Sequence, residues 1–168
     1  SSGDDEGGLD NVILESAFAF DLDANDSTAP GIDFLSDSLC SGESPVADTD
    51  LLLASETVID SIAVEILTPL DGTAESLYLP GWPPALTVAG NYTRQVVLRN
   101  AGAASAADFQ AALLLIRYRN TRPNASRAVR IIDHRVYTVC GETTRARAFI
   151  PWFPAGLAGS DRAVDFCS

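Results

Sequence analysis

The sequence predicts an all-β fold, a β-sandwich with one short helical crossover and an extra strand at the N-terminus. Three observations lead there. Short segments alternate apolar and polar residues with a period of two. Gly, Pro, Asn and Asp gather between these segments, where hairpins and loops need them. Only one stretch, 105–116, changes to a spacing of three and four. With 168 residues, 46% of them hydrophobic, the chain is long enough for one core and short for two.

The elements follow in order. Residues 1–8, SSGDDEGG, are acidic and of low complexity, and are expected to form a disordered leader. Alternation begins at Val12. Val12, Leu14, Ser16, Phe18 and Phe20 fall on one face, and Ile13, Glu15, Ala17, Ala19 and Asp21 on the other, so a strand with one strongly apolar side is expected. The stretch FDLDANDSTAPGIDF (20–34) then turns at Pro30 and Gly31. Residues 9–31 therefore read as an N-terminal strand and acidic linker, and 32–168 as the sandwich domain. Strands are expected at 46–53 and 58–67, then a hairpin-like turn at Leu70-Asp71-Gly72 leading into 76–79. PGWPP (80–84) is a loop, because proline cannot donate to a central ladder. Segments 86–88 and 94–99 are separated by Gly90-Asn91. Ser105 is a helix cap, followed by Ala106, Phe109, Ala112, Leu113 and Ile116 at helical spacing, and a strand follows at 115–118. Two long strands, 128–140 and 144–153, are joined by Gly141-Glu142, and a short one is expected at 164–167.

The net charge of −12 excludes nucleic acid as a partner, since phosphate binding requires a cationic face. Charge is also segregated. The first 80 residues carry 18 of the 23 Asp and Glu and no Arg, while all 11 basic residues lie beyond them. Such polarity suits acidic strands facing basic ones in one molecule, and equally head-to-tail contact between copies. The longest apolar run, AALLLI (111–116), is too short to cross a bilayer, so no membrane insertion is expected. The chain has no Met and no charged segment leading into an apolar one, so it reads as a processed product or fragment.

Three sequons point to the secretory route and an extracellular location: Asn25-Asp26-Ser27, Asn91-Tyr92-Thr93 and Asn124-Ala125-Ser126. In that compartment two of Cys40, Cys140 and Cys167 are expected to pair, in any of three combinations. The third is free or bonds to another chain or a missing segment.

Hard cations take carboxylate and carbonyl oxygens, and Asp21, Asp23, Asp26 and Asp33 offer carboxylates within one loop. Asp48 and Asp50 can join them if that loop packs near the next strand. Calcium is the cation this chemistry favours; a plain acidic turn is the other reading. An EF-hand is excluded, because Asp26 stands where glycine is required and Ile32 where the bidentate glutamate belongs. No catalytic constellation is present. The single histidine, His134, lies inside a strand pattern, and the chain is not expected to be an enzyme. Trp82 in PGWPP and Trp152 in FIPWF offer aromatic faces for a glycan, or anchor a loop and the core.

Three passages, taken in order, resemble the cadherin-like, immunoglobulin-type repeats of large secreted adhesins and cell-surface proteins. The first is VADTDLLLASETVIDSIAVEILTPLDGTAESLYL (46–79), similar to a repeat opening that runs through an acidic D-x-D into a Leu-Asp-Gly turn. ASAADFQAALLLIRYRNT (104–121) resembles the helical crossover of that family, and ASRAVRIIDHRVYT (125–138) its penultimate strand. Asp23-Ala24-Asn25-Asp26 followed by Pro30 is similar to the cadherin calcium linker, although the proline stands farther away and no L-D-R-E occurs. The resemblance implies an immunoglobulin/cadherin-like sandwich, an adhesive or structural role, calcium, and neighbouring repeats as partners. In such repeats a strand before the linker belongs to the preceding domain. Here it is surplus, and it either folds back on its own sheet or is donated to the next molecule through Val12, Leu14, Phe18 and Phe20. Donation repeats without closing and builds a head-to-tail fibre. The expected function is thus an extracellular structural or adhesive glycoprotein subunit. Alternatives are a calcium-binding module of a larger adhesin and a carbohydrate-binding module.

Overall fold

The computed structural model describes residues 17–36 and 42–151, which are mostly β with one short helix. In chain order the strands are β1 (Phe18–Asp21), β2 (Phe34–Leu35), β3 (Glu43–Pro45), β4 (Leu52–Ser55), β5 (Ile59–Ile66), β6 (Glu75–Tyr78), β7 (Leu86–Ala89) and β8 (Gln95–Asn100). The helix α1 (Ala106–Leu115) follows, then β9 (Arg117–Asn120), β10 (Arg130–Thr138) and β11 (Gly141–Ile150). Six strands form one sheet in the order β2-β11-β10-β5-β8-β7. Three form a second, β3-β9-β6, and β1 pairs with β4 in a third. All pairings are antiparallel except that of β2 with β11.

Alternation decides which side chains enter the core. Ile62, Val64 and Ile66 of β5, Val96 and Leu98 of β8, and Ile132 and Val136 of β10 are all fully buried. Next to them β11 contributes the small Ala146 and Ala148 and then Ile150. One apolar cluster joins these residues to Leu77 and Tyr118 of the three-stranded sheet, Phe20 and Leu53 of the two-stranded one, and Phe109 and Leu113 of α1. Each fully buried large aliphatic side chain contributes about 1.5–3 kcal/mol relative to exposure.

The helix forms where its cap allows. Ser105 Oγ accepts from Asp108 N at 3.3 Å, and the Asp108 carboxylate accepts from Ser105 N at 2.8 Å, a reciprocal capping box. Phe109, Ala112 and Leu113 point inward. Gln110 turns to β4, its Oε1 accepting from Leu53 N at 2.9 Å.

Two expectations need correction. The strand anticipated at 46–53 is broken between β3 and β4. There Asp48 accepts from Thr49 N and its carbonyl accepts from Leu51 N, local bonds that displace the ladder. The turn at Leu70-Asp71-Gly72 does not close a hairpin. It carries the chain from β5 in one sheet to β6 in another, because Asp71 is drawn into a buried ionic network. Phe18 and Phe20, expected on a strand that either folds back or is donated, lie in β1 and pair with Ser55 and Leu53 of the same chain. Val12 and Leu14, and the strand expected at 164–167, lie outside the described residues.

Candidate metal centre

The acidic loop between β1 and β2 is pinned at Leu22. That side chain is fully buried, its N–H donates to the Ile32 carbonyl at 3.0 Å, and its own carbonyl accepts from Asp48 N at 2.9 Å. The second bond carries the 48–50 turn to the loop. As a result Asp23, Asp48 and Asp50 each place a carboxylate oxygen within 4.8 Å of the others. Three carboxylates so close are a set that could hold a metal ion. None of them makes an ion pair with a basic side chain among the described residues, although nine such pairs occur elsewhere.

The three differ in what their oxygens already do. Asp23 is fully buried. Its Oδ1 accepts from Ser27 N and Oγ, and its Oδ2 from Thr28 N, Thr28 Oγ1 and Ala29 N. Burial works to raise its pKa, but the bonds from Thr28, Ala29 and Ser27 outweigh it and hold the carboxyl well below the usual range. Asp23 is therefore an ionised hub that orders the loop, with its lone pairs largely engaged. Asp48 accepts from Ser27 Oγ at 3.1 Å and from Thr49. Asp50 Oδ2 accepts from Asn25 N at 3.0 Å, while its Oδ1 is buried and has no hydrogen-bond partner. That orphaned oxygen, beside two further carboxylates, is the feature that fits a hard cation.

The other three expected ligands serve the backbone. Asp21 accepts from Asp23 N at 2.9 Å, Asp26 from Gly31 N at 2.9 Å, and Asp33 from Arg147 N at 2.7 Å.

The largest polar constellation lies elsewhere, and nothing in the sequence reading anticipated it. Arg130, fully buried, donates through Nη2 to Asp71 and through Nε to Glu75, each at 2.7 Å. Tyr118 OH donates to Glu75, and Asn120 Nδ2 and Ser126 to Asp71. Burial and Glu75 push the Tyr118 pKa well above its ordinary value. The signal was present in the alternation, since Arg130 shares its phase with Ile132, His134 and Val136. Arg119 with Glu43, and Arg94 and Arg135 with Glu65, also join the basic half of the chain to the acidic half. Part of the charge segregation is thus satisfied within one molecule.

His134 is fully buried, 6.5 Å from Phe20 between ring centroids, with neither ring nitrogen hydrogen-bonded. Cys140 is exposed beside the β10–β11 turn, and Cys40, Cys167 and Trp152 lie outside the described residues. Asn25 and Asn124 are exposed and Asn91 is half-buried. Trp82 is exposed. No helix among the described residues is long and apolar enough to cross a membrane. Set against known proteins, the chain matches no family model, no curated protein and no solved structure.

Proposed function

We propose that this chain is an extracellular structural or adhesive module, an immunoglobulin/cadherin-like β-sandwich whose acidic end takes calcium. The observation that carries the calcium reading is the buried, partnerless Oδ1 of Asp50 beside Asp48 and Asp23, with no basic side chain paired to the three among the described residues. Asp50 and Asp48 would hold the ion, and Asp23 would add charge from behind. Calcium, with six to eight oxygen ligands in flexible geometry, suits such a site better than magnesium, which demands a near-ideal octahedron. The bound ion would fix the 48–50 turn against the β1–β2 loop and stiffen that end of the module. The sandwich reading is supported by the single core shared by three sheets, and the extracellular reading by the three sequons.

The test is thermal unfolding of the full chain with chelator and then with calcium up to millimolar. A ligand at a hundred times its Kd stabilises by about 2.7 kcal/mol, which raises Tm by several degrees in a domain of this size. An unchanged Tm at millimolar calcium ends the calcium reading. Head-to-tail assembly is supported by the placement of β1 in a two-stranded ribbon at the end of an acidic loop, where a second copy could supply the same strand. Negative-stain imaging of the chain beside a version lacking residues 1–23 decides it. Fibres lost on truncation support exchange, and single particles from both remove it.

A second reading, glycan binding, is supported by an aromatic stack. Tyr78 and Tyr92 lie parallel with centroids 5.3 Å apart, and Tyr92 is 59% exposed in a left-handed backbone conformation at φ 63°. Such a face suits the apolar side of a sugar ring. A glycan array comparing the native chain with Tyr92→Ala and Trp82→Ala tests it, and an array without hits removes it.

A further inference from the structure

The fold treats two of the three sequons in opposite ways, and the inference drawn from this rests on the secretory reading above. Asn91 lies in the tight turn between β7 and β8, where Gly90 has φ 75° and Tyr92 φ 63°. Its side-chain amide grips the backbone of one buried residue at two points. Oδ1 accepts from Leu79 N at 2.9 Å, and Nδ2 donates to Leu79 O at 3.1 Å. Leu79 is 1% exposed and directly follows β6, so the amide supplies the ladder partner that the sheet no longer provides there.

The stereochemistry of a planar amide makes this grip incompatible with a sugar. Of the two Nδ2 hydrogens, only the one on the Oδ1 side points the same way as the Oδ1 lone pair. That hydrogen makes the two-point contact, while the other points back beside Cβ. Glycosylation turns the side chain into a secondary amide, which prefers the trans arrangement. The anomeric carbon then stands opposite Cβ, on the Oδ1 side, in the place of the hydrogen that holds Leu79 O.

Asn124 presents the reverse case. It is exposed in the segment between β9 and β10, and its amide makes no hydrogen bond among the described residues. The chain beside it is anchored from within, because Ser126 N and Oγ donate to Asp71 and Ser126 O accepts from Arg130. A sugar on Asn124 displaces none of these bonds. Asn25 is exposed as well, with only its Oδ1 engaged, by Ser27 N at 2.8 Å.

We propose that Asn124 carries an N-linked glycan in the secreted protein, and that Asn91 is kept free of sugar because its amide is a structural clamp. In the transfer, Asn124 Nδ2 bonds to the anomeric carbon of a glycosyl diphosphate donor. The carbon–oxygen bond to phosphate breaks, the diphosphate leaves as an anion, and the amide gives up one proton. Ser126 Oγ, the sequon hydroxyl, is engaged by Asp71 once the domain closes, so transfer precedes closure.

The full chain, secreted from a eukaryotic cell behind a signal peptide, is treated with a glycan-releasing amidase in heavy-oxygen water and mapped by peptide mass spectrometry. The expected result is the heavy-oxygen Asp mark at Asn124 and none at Asn91. A mark at Asn91 in folded secreted protein, or an unmarked Asn124, overturns the proposal. In sugar-free protein made in bacteria, Asn91→Asp, which removes the donor, is expected to lower Tm by about 3–8 °C, and Asn124→Asp to leave it unchanged. Equal melting of the two variants overturns the clamp. If all sequons are bare and the chain is not secreted, the secretory reading fails, while the bacterial comparison still decides the clamp separately.

Discussion

Arg130 and Asp71, 59 positions apart in sequence, meet in a 2.7 Å ion pair in which neither side chain reaches solvent. The pair joins β10 of the six-stranded sheet to the turn that leads into β6 of the three-stranded one. Glu75 completes the triad on the other arm of the guanidinium, and its carboxylate also accepts from the backbone N–H of Asp71 at 2.8 Å. A buried pair of this kind adds little net stability over an apolar substitute, but it is costly to break on one side. It ties the two sheets together, one guanidinium reaching both acids.

Arg130→Ala is therefore expected to lose about 3–5 kcal/mol by urea denaturation, because it leaves buried Glu75 without a counter-ion and buried Asp71 with only the half-exposed Arg122. Arg130→Lys should recover only part of this, as a single ammonium cannot span both acids as the planar fork does. Full recovery by lysine would show that charge alone matters and that the fork geometry does not.

Acid should weaken the fold through His134. Burial pushes its pKa down to about 4 from an ordinary 6.5. The unfolded chain then takes up a proton at a pH where the native state does not. Stability accordingly falls as pH drops from about 6.5 to about 4, by about 3 kcal/mol over the whole window. The lowered carboxyls of Asp23 and Asp71 add their losses only below the ordinary carboxylate range. His134→Leu should remove most of the dependence between pH 7 and 4.5, and urea midpoints that shift equally in both proteins would disprove this.

The two kinds of aspartate at the acidic end should respond differently to substitution. Asp50→Asn removes one of three adjacent like charges and the orphaned oxygen, so it should abolish the calcium-dependent rise in Tm while leaving the calcium-free Tm unchanged or higher. Asp23→Ala removes the acceptor of five hydrogen bonds from Ser27, Thr28 and Ala29, and should lower Tm with or without calcium. Melting curves of both variants in chelator and in calcium check this. A calcium-free Asp23→Ala that melts like the native protein would remove the hub role.

Gly90 should tolerate no side chain. Its φ of 75° lies in the left-handed region, and a Cβ there would collide with the backbone carbonyl oxygen of Gln95. Gly90→Ala is expected to cost about 2–4 kcal/mol from strain and steric clash together. Chemical denaturation measures it, and a loss below 1 kcal/mol would mean that the turn can move.

Local patterns in the sequence determined much of the architecture. The alternation at 58–67 became β5, and that at 94–99 became β8. Ser105 with apolar residues at three and four spacing became a capped helix, and the hairpin expected at Gly141-Glu142 formed with its turn one step earlier, at Val139-Cys140, so that Gly141 and Glu142 lie in β11. These rest on short-range chemistry: side-chain period, capping and turn residues act within a few positions. Three of the aspartates singled out, Asp23, Asp48 and Asp50, do meet, because the bond from Asp48 N to the Leu22 carbonyl brings the turn to the loop. Tertiary structure alone decided the rest. It sent β5 and β6 to different sheets, paired β1 with β4 of the same chain, and split six acidic residues into a cluster of three and three backbone acceptors. It also made Asn91 a clamp and buried Arg130 between acids 55 and 59 positions away. The physical reason is the same in each case. A polar side chain taken out of water must find a partner, and partners so far apart along the chain are named only once the sheets have closed around them.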